Sequence, residues 1–87
     1  MSLVGGDAPA LFSFANQLRA RRQRIAAAAA RLGAVLEQAH WVGPDRDRFV
    51  SSWQSQHAPA LRAVCDDLDS AAGKVTRHAQ AQENASR

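Results

Sequence analysis

No proline falls between Pro9 and Pro44, and through that stretch Leu11, Leu18, Ile25, Leu32 and Ala39 recur at seven-residue spacing. Phe14, Ala28 and Val35 follow the first, third and fourth of these by three residues. Apolar residues repeating at steps of three and four share one side of an α-helix and no single face of a strand. The spacing therefore predicts one amphipathic helix over about 8–39, roughly 45 Å long at the helical rise. Asp7 is placed to cap its first free N–H groups, and Pro9 sits in the first turn, where it has no hydrogen bond to lose. Ala26–Ala30 form a run of five alanines, which favours helix while supplying little core volume. Gly33 lies inside this helix at a cost of about 1 kcal/mol relative to alanine, a cost that a close helix crossing would offset. Strand formers are scarce: there is no tyrosine, one isoleucine (Ile25), one threonine (Thr76), and the valines are scattered. The expected class is all-α.

Trp41-Val42-Gly43-Pro44-Asp45 is the clearest break in the chain, with glycine and proline adjacent and an acid positioned to cap the next helix. A reversal is expected over 40–45. A second helix is expected over about 46–79, carrying Val50, Trp53, His57, Leu61, Val64, Leu68, Ala71 and Val75 at alternating steps of three and four. Pro59 falls inside it and predicts a bend, because it removes one backbone hydrogen bond and crowds the carbonyl four residues earlier. From residue 80 to 87 the chain is mostly polar and is expected to be a disordered tail. The whole of 1–87 thus forms one domain, an antiparallel helical hairpin.

Two helices bury one seam between them, but these stripes are wider than a seam, since Ala15, Ala29 and Leu36 broaden the first. Pairing two hairpins into a four-helix bundle would cover the remainder. A chain of 87 residues sits near the size at which one core supplies only about 3–5 kcal/mol of net stability, so a partner would help. The dimer core expected from the pattern is Leu11, Phe14, Leu18, Ile25, Leu32, Leu36, Val50, Leu61, Val64 and Leu68.

Few chemistries fit these residues. Cys65 is the one cysteine, which leaves it no partner within the chain and reads as a small buried apolar residue. His57 and His78 are 21 residues apart on the second helix's expected core heptad, about 31 Å along the axis, too far to share a metal. Asp66, Asp67 and Asp69 point apart around a helix and suit a solvated face or arginines on the other helix. No phosphate-binding loop, nucleophile triad or metal-ligand spacing is present, so neither enzyme activity nor a cofactor or metal is expected. Arg24 and Arg31 bracket the longest apolar run, well short of a membrane span, and the first residues lack the features of a secretory leader.

Trp41-x-Gly43 in the turn of a hairpin this short, with Phe49 eight residues on, Trp53 four further and the ending Gln82-Glu83-Asn84-Ala85-Ser86, resembles the Trp-x-Gly family of small type VII secretion substrates. The resemblance spans nearly the whole chain. It implies a hairpin that forms a homodimer, or a heterodimer with a paralogous Trp-x-Gly protein, and that is recognised by the type VII (ESX) secretion ATPase. It implies export by a leaderless route from the cytoplasm, or a carrier role for larger cargo, with Trp41, Gly43, Phe49 and Trp53 contacting the partner or the machinery. Independently of the family, a tryptophan at the end of one helix covers the closed end of a hairpin, and the turn needs a glycine. The export signal Tyr-x-x-x-Asp/Glu carried by many members is missing: His78 and Gln82 hold its spacing, so the signal would come from a partner.

The net charge is +3, and Arg19, Arg21, Arg22 and Arg24 crowd one stretch of the first helix. That cluster supports an alternative, a small basic helical dimer that binds nucleic acid through these arginines.

Overall fold

The computed structural model describes residues 7–86, and every element among them is helical. The first helix, α1, spans Ala8–Gln38; a short reversal leads to α2, Pro44–Ser52; a π turn, Trp53–His57, joins it without a break to α3, Ala58–Ala85. The two arms pack antiparallel into a rod of 64 × 18 × 16 Å.

Each boundary has a local cause. Asp7 takes extended backbone angles and its Oδ1 accepts from the Ala10 N–H at 3.4 Å, with Pro9 in the first turn. The chain reverses at Gly43, whose φ of +125° is open to glycine and strained for any side chain. Pro44 then opens α2 with Asp45 and Asp47 in its first turn, where carboxylates oppose the positive end of the helix dipole. The N-cap is Gly43, with no side-chain cap. Asp45, placed by the sequence as the capping acid, instead accepts from Arg48 Nη2 at 2.6 Å.

At Pro59, where a bend was expected, the helical pitch changes just before the proline. The Ala58 N–H reaches back to the Trp53 carbonyl, five residues rather than four, and Ser55 Oγ donates to the Ser51 carbonyl at 2.7 Å. A wider turn at this point relieves the carbonyl against which the proline ring would press. It also adds one residue to the turn, which changes which side chains face α1.

The sequence stripe steps from Trp53 to His57 and on to Val64, Ala71 and His78. In the structure the five-residue step carries it to Ala58, and the buried positions beyond it are Cys65, Ala72 and Ala79. Leu61, Leu68 and Val75 keep their place beside the seam, half-buried. Val64, His57 and His78 are exposed, which corrects the expectation that the two histidines lie on the core heptad. On α1, which has no such turn, the fully buried position is Ala15, next to Phe14. The buried core among the described residues is Ala15, Cys65, Ala72 and Ala79, with no large side chain fully buried. The Cys65 thiol crosses the seam to the Arg22 carbonyl at 3.7 Å. Small residues win the centre because they let two backbones approach closely; larger ones are left to either side.

The end of α3 is a second correction. The segment from residue 80 was expected to be a disordered tail, yet α3 is helical to Ala85. Ala79 is buried against α1, Gln82 is half-buried, and the Ser86 N–H and Oγ both bond the Gln82 carbonyl, closing the last turn.

Candidate functional site

The apolar residues displaced from the seam fall on one side of the hairpin. Phe14 precedes the buried Ala15 by one residue, Leu32 precedes the half-buried Gly33, and Val64 precedes the buried Cys65. At about 100° per residue, one position before an inward residue means a quarter-turn away from the partner helix. In two antiparallel helices of the same hand, that quarter-turn leads to the same side. Phe14 is 48% exposed, Leu32 40%, Val35 59% and Val64 44%. With half-buried Leu18, Ile25, Leu61, Leu68 and Val75 they make a largely apolar face spanning α1 and α3, on which the same rule also places the exposed Arg21 and His78.

The opposite side carries polar residues one position after an inward one, Arg19 after Leu18, Asp69 after Leu68 and Thr76 after Val75, and Arg22 reaches it from the seam. Arg22 Nε meets Asp69 Oδ2 at 3.1 Å, and Arg19 Nη2 donates to Thr76 Oγ1 at 3.0 Å. This pairing answers what the acidic residues of α3 do: Asp69 serves an arginine of α1, while Asp66 and Asp67 point elsewhere. It also divides the arginine cluster. Arg19 and Arg22 are turned toward α3, whereas Arg21, one residue before half-buried Arg22, lies on the side that carries Phe14, and Arg24 lies around the outside of α1, so the four do not converge on one patch.

At the closed end, Trp41 and Phe49 meet with ring centroids 6.4 Å apart at an interplanar angle of 48°. Both rings stay exposed, and the neighbouring Val42 is 89% exposed. Gly43 holds the reversal that brings these rings together. The fourth residue of that predicted set, Trp53, lies elsewhere: its indole Nε1 is 3.8 Å from where a Gly33 Cβ would stand, between the arms. The four thus form a two-ring tip, a turn glycine and a separate tryptophan wedge. Gly33 does not mark a backbone crossing too tight for a side chain, since a methyl there would make ordinary contact.

Of the predicted dimer core, Phe14, Leu32 and Val64 stand on the exposed face, and Leu18, Ile25, Leu61 and Leu68 line it. Leu11, Leu36 and Val50 are half-buried within the hairpin. One feature was missed from sequence, an open groove of about 400 Å³ beside the alanine run, bounded by Trp53 at one end. The run Ala26–Ala30 was its signal, since five methyls in succession cannot fill the space between two helices. Among the described residues no group of three His, Cys, Asp or Glu is placed to hold a metal ion, and no helix is long and apolar enough to cross a membrane. The chain matches no model of a protein family, no curated protein and no solved structure.

Proposed function

We propose that this hairpin works by association with another helical protein rather than by catalysis, as a type VII secretion-associated protein of the Trp-x-Gly kind. One observation carries the association half: the apolar face shared by α1 and α3, on which Phe14, Leu32, Val35 and Val64 are each at least 40% exposed. The seam beneath it is built of methyls and one thiol, at about 0.8 kcal/mol per buried carbon, so the larger apolar groups have their burial still to gain. Covering that face with a second hairpin produces a four-helix bundle. The secretion half rests on the resemblance carried by Trp41-x-Gly43 in the turn, and the partner is a second copy or a paralogue. The exposed Trp41–Phe49 tip is the surface offered to the export machinery.

Light scattering of the purified protein tests the association. A mass near twice that of the chain, unchanged between low and high salt, is expected from an apolar interface, and Val64→Asp should convert it to monomer with its helical circular dichroism retained. A protein that is monomeric and fully helical at all concentrations, and stays so with a co-expressed Trp-x-Gly partner, would overturn it. For the secretion half, Trp41→Ala should leave helix content intact and lower export from a host with a type VII system; unchanged export would remove that role.

A further inference from the structure

The groove lies on the side away from the apolar face. Ala30, Arg62 and Asp66, which line it, each come one position after an inward residue, the rule that defines the polar side. Its apolar wall comes from Ile25, Ala26, Ala29, Ala58 and Leu61, with the Trp53 indole at one end. The Trp53 indole lies beside Gly33 of α1, and on the next turns the alanine methyls are too short to fill the space between the arms. A hollow of about 400 Å³ falls in the range of about 300–1,000 Å³ typical of small-molecule sites, and its apolar walls with a few charges at the rim have the composition such sites show.

The rim decides what chemistry fits. Arg22 and Arg62 both border the groove. Arg22 gives Nε to Asp69, which leaves the outer nitrogens of its guanidinium, and Arg62 stands in no ion pair among the described residues. Asp66 also borders the groove and Asp69 neutralises Arg22, so among the described residues Arg62 is the rim cation that stands outside any ion pair and is free to take an acid group. A planar guanidinium binds an oxyanion through two parallel N–H groups. We propose that the groove binds a small organic anion with an aromatic body, an aryl sulfonate or aryl carboxylate, its ring among the alanines against Trp53 and its acid group on Arg62 and Arg22. Ile25 and Leu61 border both surfaces, but the mouth of the groove, marked by Ala30, Arg62 and Asp66, opens on the side away from a partner seated on the apolar face.

The test uses the full chain carrying Trp41→Phe, in which Trp53 is the one remaining tryptophan, titrated with 1-anilinonaphthalene-8-sulfonate and with its uncharged parent N-phenyl-1-naphthylamine. The expected result is one saturable sulfonate site per chain, with Trp53 emission quenched as the dye brightens. Arg62→Gln should weaken the sulfonate about tenfold, the equivalent of one lost charged contact, and leave the uncharged dye unaffected. Ala30→Phe, at an exposed position, should plug the groove and abolish binding of both dyes. Sulfonate binding that survives Ala30→Phe would place the dye elsewhere and overturn the proposal. Equal affinity for the two dyes with no effect of Arg62→Gln would overturn the anionic chemistry.

Discussion

Alanine does opposite things in the two halves of this hairpin. Toward the open end Ala15, Ala72 and Ala79 are fully buried, and the arms close over them without a gap. Toward the turn Ala26, Ala29 and Ala30 border a groove that no side chain fills. The residue type is the same; the neighbours differ. In the open half nothing larger than a methyl or a thiol is fully buried in the seam among the described residues, so the helices approach until these touch. In the other half the bulky Trp53 indole sits between the arms beside Gly33, and the alanines on the next turns border a hollow they are too short to fill. A small residue thus marks close packing only where its neighbours are small as well.

The largest effect that would break this contrast is expected at the closed seam. Ala72→Leu inserts three carbons where the methyl is fully buried, and should cost about 2–3 kcal/mol in chemical denaturation; a loss under about 0.5 kcal/mol would mean that the seam is loose. The same change in the open half should have the opposite sign. Ala29→Leu extends into the groove and should stabilise by about 1 kcal/mol, the usual return for filling a hollow, with the denaturation midpoint as readout. Gly33→Ala is next: its methyl makes ordinary contact with Trp53, so the helix-propensity gain of about 0.8 kcal/mol should appear nearly whole. Destabilisation there would show that the indole has no room to give. The smallest effect belongs to the pair at the border of the two halves. Arg22 and Asp69 are 3.1 Å apart but partly solvated, so a double-mutant cycle should give a coupling of about 0.5 kcal/mol that fades in high salt.

Several elements of the hairpin could be read from particular residues. Asp7 and Pro9 mark the start of α1, Gly43 and Pro44 the reversal, and the absence of alternating β-branched runs excludes strands for a local reason that no packing overrides. The phase of the second arm was not legible. Hydropathy ranks Val64 above Cys65 and cannot separate Ala71 from Ala72, so a regular pattern carried on from Trp53 chooses the larger residue at 64 and 78 and has no basis for choosing at 71. The structure chooses Cys65, Ala72 and Ala79, because the π turn at Trp53–His57 advances the register by one residue. The same error places His57 and His78 in the seam, although both are exposed. At the tip, the Trp41–Phe49 contact is implied by the turn between them, but the separation of Trp53 from it depends on that same extra residue.

The sequence by itself determined an all-helical hairpin, its point of reversal and an excess of apolar stripe over what one seam can bury, because caps, turn glycines and helical periodicity act over a few residues. Only the tertiary structure decided which residues became the seam, that the surplus lies on one face, and that the alanine run opens into a groove. Those outcomes depend on packing between residues far apart in the chain, such as the Trp53 indole beside Gly33 twenty residues away, and on a single added residue in one turn.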